Sequence, residues 1–200
     1  EQLDYRKAYT ENDLLNLAYA LPLEFPPGAR WNYSNTGYVV LGIVIHRVSG
    51  KPYWDYLRER IFMPAGMPTI RVITESGIVP HRASGYLVDS TGYRHQEWVS
   101  PELNTTADGS MLMSVRDMIA WNDVVRRRAV LSAESWAQMQ GPVTLRSGKK
   151  YPYGMAWFVD SLRGEQVLHH GGDWQGFRTQ IKRFAHGDLA VIVLANSRTA

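Results

Sequence analysis

The stretch PGARWNYSN, Pro27 to Asn35, places a proline-glycine turn directly before a tryptophan and a Tyr-Ser-Asn triplet. After it, apolar residues recur at the spacing of one helical face until Ser49-Gly50 ends the pattern: Tyr38, Leu41, Gly42, Ile45 and Val48. We therefore predict that Tyr33-Ser34-Asn35 lies in the loop leading into a buried helix. The phenol of Tyr33 can accept a proton, and the carboxamide of Asn35 can both donate and accept hydrogen bonds, so the two residues can bring both abilities to one site.

Helical patterns dominate the first 140 residues. Thr10 to Asp13 resembles a capping box and predicts a helix that ends before Pro22. A third helix should begin at Pro52 and end at Met63-Pro64, and a fourth should follow the cap at Ser114. A shorter helix is expected from Ser132 to Met139. On the Ser114 helix we expect four residues to point inward: Val115, Met118, Ile119 and Val125.

The last quarter of the chain consists of short β-rich runs separated by turns that contain glycine: Tyr153 to Asp160, Val167 to His170, Phe177 to Phe184 and Leu189 to Asn196. The connections are too short for parallel crossovers, so we predict an antiparallel meander and an α+β fold. We expect a mainly helical region over residues 1–145 and the strands over 146–200, together forming one partial domain. A further short hairpin is expected around Ser90 to Gly92.

Composition excludes several classes of protein. The chain has 200 residues, 44% of them hydrophobic, and no apolar run approaches the roughly 20 residues of a membrane-spanning helix. With no cysteine there is neither a thiol nucleophile nor a Cys-ligated metal site. The net charge is +3. The basic run Arg126 to Arg128 follows a helical pattern, so a positively charged helix C-terminus explains it more simply than a nucleic-acid-binding surface does.

The segment HHGGDWQGF, His169 to Phe177, is a candidate site at a strand end. Alternation along a strand puts His170 and Gly172 on one face and His169 on the other, so the two imidazoles cannot readily share a metal. The paired glycines either let a ligand approach the backbone or simply relieve strain in a bend. We expect no metal and no cofactor.

Five segments in order resemble the serine β-lactamase and penicillin-binding-protein superfamily. Tyr33-Ser34-Asn35 resembles its Tyr-x-Asn motif, and His170-Gly171-Gly172 resembles its third motif, with His where many relatives carry Lys. The surrounding match runs from Phe25 to Ser197. Its first block, FPPGARWNYSNTGYVVLGIVIHRVSGKPYWDYLRERIFMPAGM, contains the Tyr-x-Asn motif, and YGMAWF and VIVLANS are two further blocks. ADGSMLMSVRDMIAW is also similar, although Asp108-Gly109-Ser110 departs from the usual paired glycines.

The resemblance implies a helical region beside an antiparallel sheet, with an acyl-transfer site between them. Tyr33 would relay the proton of a serine nucleophile, and Asn35 would orient its lysine partner and the substrate. His170 would hydrogen-bond Tyr33 or a substrate carboxylate. Gly172 would leave room for the acyl group, and the backbone N–H of Asp173 would form part of the oxyanion hole. The expected partner is a small-molecule or peptide substrate, with small esters favoured over penicillins because of His170, and a periplasmic or extracellular location.

The family's Ser-x-x-Lys motif is absent where it should be. The thirty-two residues before Tyr33 contain no serine, and the string Ser147 to Lys150 lies later, in a polar stretch that predicts an exposed turn. No Gly-x-Ser-x-Gly elbow supports another serine hydrolase class. We therefore expect the later part of a larger serine hydrolase, inactive alone and able to self-associate through an unpaired sheet edge. The alternative is a catalytically inactive binding or scaffold protein of the same fold.

Overall fold

The structure is a computed structural model that describes residues 3–72, 77–96, 98–184 and 189–198. The α-helices precede the largest sheet, which confirms the predicted α+β class. The helices are α1 (Glu11–Tyr19), α2 (Asn35–Ser49), α3 (Tyr53–Leu57), α4 (Val115–Arg126) and α5 (Ala133–Gln140), with a π-helical turn over Arg58–Phe62 and a 3-10 helix over Pro101–Thr105.

Strands form one four-stranded antiparallel sheet and three two-stranded pairs among the described residues. The strands of the large sheet are β7 (Phe158–Leu162), β8 (Glu165–Trp174), β9 (Phe177–Phe184) and β10 (Ala190–Ala195). Their order in the sheet is β10-β9-β8-β7, so each strand pairs with its neighbour along the chain. The pairs are β1 (Arg71–Val72) with β4 (Met111–Leu112), β2 (Tyr86–Asp89) with β3 (Gly92–His95), and β5 (Val143–Thr144) with β6 (Lys150–Tyr151). The β2–β3 hairpin is the one predicted around Ser90 to Gly92.

The register defines two faces of the large sheet. His170 lies opposite Ile181, which lies opposite Ile192, and we call the face that these three share the inner face. His169 lies opposite Lys182, which lies opposite Val191, on what we call the outer face. The two adjacent histidines therefore lie on opposite faces, as the alternation predicted.

Helices α4 and α5 cover the inner face. Trp157, Leu168 and Ile181 form a buried cluster, against which pack the partly buried Met118, Met139 and Ile192. Arg183 is buried on the same face and donates from Nε to Asn122 Oδ1 of α4 at 2.6 Å. This bond gives the buried guanidinium a hydrogen-bond acceptor, without which burying its charge would be costly.

The prediction for the apolar face of α4 is partly wrong. Val124 and Val125 are buried against Trp136 of α5, but Val115 and Ile119 are exposed. Periodicity identifies which residues share a helical face, yet it does not say whether another element covers all of that face.

The strand predicted from Tyr153 begins five residues later, at Phe158. Residues 153–157 form a tight turn in which the Gly154 N–H donates to the Trp157 carbonyl at 2.7 Å. A side chain at Gly154 would place its Cβ 2.2 Å from the Met139 carbonyl oxygen, so only glycine fits here. No helix in the described part of the chain is both long and apolar enough to cross a membrane.

Candidate active site

The cap of α2 fixes the position of the Tyr-Ser-Asn triplet. The Ser34 hydroxyl accepts from the Gly37 N–H at 3.0 Å, so Ser34 is the N-cap and Asn35 is the first helical residue. Our prediction that all three residues lie in the loop is therefore wrong for Asn35. The side chains of Tyr33 and Asn35 flank the N-terminus of this helix.

Two contacts anchor the segment before Tyr33 to the β5–β6 hairpin. The Gly28 carbonyl accepts from the Arg146 N–H at 2.8 Å, and Gly28 has a φ of 80°, which disfavours any side chain. The Trp31 ring stacks on Tyr151 with centroids 4.3 Å apart and an interplanar angle of 16°. The turn and the tryptophan of the PGARW sequence thus hold Tyr33 in place.

Tyr33 and His170 lie side by side although they are far apart in the sequence. Their ring centroids are 5.9 Å apart with an interplanar angle of 35°. Tyr33 approaches from the N-terminus of α2, and His170 approaches from the inner face of β8. The Tyr33 ring also makes an edge contact with Tyr153 at 6.3 Å, and 43% of Tyr33 remains exposed. The structure therefore brings together the two residues that the sequence singled out as catalytic.

Both ring nitrogens of His170 have partners other than Tyr33. Nε2 lies 3.2 Å from the Tyr153 hydroxyl, and Nδ1 lies 2.7 Å from the Gly171 carbonyl oxygen. The expected hydrogen bond between His170 and Tyr33 is therefore not the arrangement of this structure. The contact between these two residues is a contact between rings.

Tyr153 and Tyr38 extend the site behind His170. Tyr153 is buried, and the Tyr38 hydroxyl lies near it. Ala156 has a left-handed φ of 64°, a strained conformation for a residue with a Cβ, in the turn after Tyr153.

Burial keeps the phenols of the site protonated. Burial raises the pKa of Tyr33, and the Asp108 carboxylate raises it further. Burial likewise raises the pKa of Tyr153 well above its ordinary value, with the nearby Tyr38 and Tyr33 hydroxyls adding to the shift. The described surroundings thus move Tyr33 away from the ionised form that a general base requires.

The other predicted binding residues follow Tyr33 and His170 closely in the sequence. The Asn35 side chain is exposed and has no hydrogen-bond partner within the described part of the chain. At Gly172 an added Cβ would lie 2.6 Å from Thr179 Oγ1, so the neighbouring strand already restricts this position to glycine. The Asp173 carboxylate bonds Arg198 Nε at 3.0 Å, so its side chain has a structural role.

Metal chemistry gains no support from the histidines. Among residues 3–72, 77–96, 98–184 and 189–198, no cluster of three His, Asp or Glu side chains could hold a metal ion. His169 stacks instead on Phe158 at 5.2 Å. Burial lowers the pKa of His169, and the Lys182 ammonium opposite it lowers the pKa further.

The Ser147 to Lys150 string lies in the exposed β5–β6 turn, as predicted. The Gly148 N–H donates to the Leu145 carbonyl at 2.9 Å, and Gly148 has a φ of 79°. Because this is a hairpin turn, the Ser147 and Lys150 side chains are not held one helical turn apart, as the catalytic motif requires.

Sequence reasoning missed Tyr153 and Tyr38. The helical spacing of Tyr38 indicated a packing residue, and Tyr153 opened a run that was read as a strand. The available signal was the Gly154 to Ala156 turn, because a turn at that point redirects Tyr153 toward His170.

Comparisons with known proteins identify a family. The sequence model of the Beta-lactamase family matches residues 2–200. Penicillin-binding protein 4* of Bacillus subtilis (strain 168) is 30% identical over 187 residues, covering 86% of this chain and 41% of the relative. A D-aminopeptidase of Brucella anthropi is 28% identical over 172 residues, covering 86% of this chain and 32% of the relative.

The structure also resembles solved structures of related proteins. The octameric penicillin-binding protein homologue from Pyrococcus abyssi superimposes with a TM-score of 0.78 at 28% identity, over 96% of this chain and 44% of that chain. The fold is therefore that of the β-lactamases and transpeptidases, and the chain spans less than half the length of each of these relatives. With the match over nearly all its residues, the chain belongs to the Beta-lactamase family.

Proposed function

We propose that this chain is the later part of a serine hydrolase that forms an acyl-enzyme from an ester, an amide or a β-lactam. Tyr33 relays the proton of the nucleophile, and His170 lies beside it. Asn35, Gly172 and the Asp173 backbone N–H contact the substrate. The proposal rests on one observation above all, the 5.9 Å approach of the Tyr33 and His170 rings at the N-terminus of α2.

The electrostatics of Tyr33 support a nucleophile and a lysine outside this chain. A phenol acts as a base near neutral pH only beside a positive charge, because its ordinary pKa is about 10. Burial and Asp108 raise the pKa of Tyr33, which is the wrong direction for that role. An ammonium group supplied by another segment would lower the pKa of Tyr33 and complete the site. We therefore propose that residues 1–200 alone do not hydrolyse substrate.

The substrate class follows from two features. His170 stands where many relatives carry a permanently charged lysine, so binding of a substrate carboxylate should be weaker and small esters are favoured over penicillins. The D-aminopeptidase among the relatives adds D-amino-acid amides as a second class.

The direct test is Tyr33→Phe in the full-length protein, assayed with a 4-nitrophenyl ester and a D-amino-acid 4-nitroanilide. Loss of general-base catalysis should lower kcat/KM by roughly 100-fold or more. Stability should hardly change, since Tyr33 is 43% exposed. Tyr93→Phe, at an exposed position on the β2–β3 hairpin, is the matched control. Near wild-type turnover in Tyr33→Phe would remove Tyr33 from the mechanism, and a full-length protein inert to both substrates would favour the binding or scaffold alternative.

A further inference from the structure

His170 lies in a hydrogen-bonded row whose direction can be worked out atom by atom. The row runs from the Tyr153 hydroxyl to the imidazole of His170, and ends at the Gly171 carbonyl. It joins two separate elements: the segment before β7, and β8.

The Gly171 end fixes the hydrogen on the imidazole. A carbonyl oxygen can only accept, and it lies 2.7 Å from Nδ1 of His170. An unprotonated Nδ1 at that distance would direct its lone pair at a lone pair of the carbonyl oxygen, and the two would repel. Nδ1 therefore carries a hydrogen. In the neutral ring Nε2 is then the acceptor, and the Tyr153 hydroxyl at 3.2 Å is its donor.

The Tyr153 hydroxyl has a single hydrogen, and donating it to Nε2 gives that hydrogen an acceptor. Tyr153 is buried, so water competes poorly for its hydroxyl.

We propose that Tyr153 is a positioning residue whose hydroxyl holds the His170 imidazole against Tyr33 as the Nδ1–H tautomer. It acts through His170 and does not touch the substrate. Its value for catalysis rests on the function proposed above, whereas the tautomer and the hydrogen bond do not. Orientation matters here because His170 contacts Tyr33 through its ring, at 5.9 Å between centroids. A freely rotating imidazole would lose that contact.

The tautomer can be tested directly by NMR of the full-length protein labelled with ¹⁵N-histidine. The His170 signals are assigned by their loss in His170→Asn. In the wild type we expect a protonated Nδ1 and an unprotonated, hydrogen-bonded Nε2. In Tyr153→Phe the Nε2 resonance should move to that of an acceptor without a donor.

Tyr151→Phe is the matched control, since Tyr151 lies two residues away and stacks on Trp31. It should leave the His170 signals unchanged. A proton on Nε2 instead of Nδ1 in the wild type would overturn the proposal, even if Tyr153→Phe failed to fold. So would a folded Tyr153→Phe protein with His170 signals like those of the control.

Kinetics separate this inference from the proposed function. Tyr153→Phe should lower kcat/KM for a 4-nitrophenyl ester by about tenfold, the effect of one well-placed hydrogen bond, with most of the loss in kcat. If Tyr153→Phe shifts the Nε2 resonance of His170 but leaves kcat/KM of an active enzyme unchanged, the positioning role of Tyr153 is overturned. A wild type that hydrolyses nothing would contradict the proposed function alone, since the NMR result would still decide the tautomer.

Discussion

The two faces of strand β10 differ although their residues alternate along one chain segment. Ile192 packs on the inner face against the cluster of Trp157, Leu168 and Ile181. Its neighbours Val191 and Val193 are about half exposed on the outer face. The residues of this chain therefore form the packed inner core beside the candidate site, whereas much of the apolar outer side of β10 is open to solvent.

Strand β10 also forms an edge of the large sheet. In the order β10-β9-β8-β7, β10 pairs through Ala190–Ala195 with β9 and is the last strand of the sheet in the described part of the chain. A shallow cavity of about 430 Å³ lies over β8, β9 and β10 and is lined in part by Gln180 and Val193 of the outer face. It is on the opposite side of the sheet from His170. The His170 ring and the open apolar surface are therefore on different faces, although Gly172 and Asp173 also line this cavity.

The largest expected effect is on stability. In the 200-residue chain, Leu168→Ala should lower the free energy of unfolding by about 2–5 kcal/mol, because Leu168 is 3% exposed within the inner cluster. Val193→Ala should change it by less than about 0.5 kcal/mol, because Val193 is 51% exposed. Urea unfolding measures both. Equal losses would show that the two faces are equally packed in solution and would remove the contrast.

A second comparison uses the adjacent histidines in the full-length protein. His170→Ala should lower kcat/KM for a 4-nitrophenyl ester by roughly tenfold to a hundredfold, because it removes the ring beside Tyr33. His169→Ala should change it by less than about twofold, because His169 stacks on Phe158 on the outer face. Equal losses from the two variants in steady-state kinetics would mean that the faces do not separate chemistry from packing.

The smallest expected effect concerns self-association of the 200-residue chain through the β10 edge. Exposed apolar edge strands pair with other chains, and an edge lysine opposes such pairing. Val193→Lys should raise the apparent dimer dissociation constant about tenfold, a change of roughly 1.4 kcal/mol, in sedimentation velocity. Val48→Lys, an equally apolar exposed site on α2, is the control. Association that responds equally to both substitutions would place the contact elsewhere.

Much of this arrangement could be predicted from sequence because its signals are local. The capping serine and the apolar spacing predict α2 and thus place Tyr33 at its start, and alternation in β8 separates His170 from His169. Tyr153 could not be predicted in the same way. Its contact with His170 depends on the Gly154 to Ala156 turn, which a β-rich composition conceals. The exposure of Val115 and Ile119 depends on what packs against α4, and the sequence of α4 does not contain that information.

Tyr33 and His170 are proposed to serve an acyl-transfer site whose nucleophile lies outside residues 1–200. The decisive experiment is intact-mass spectrometry after exposure to an activated ester, with the full-length protein and the 200-residue chain side by side. We expect a stoichiometric acyl adduct on a serine of the full-length protein outside these residues, and none on the chain alone. A stoichiometric adduct on the 200-residue chain would contradict this proposal.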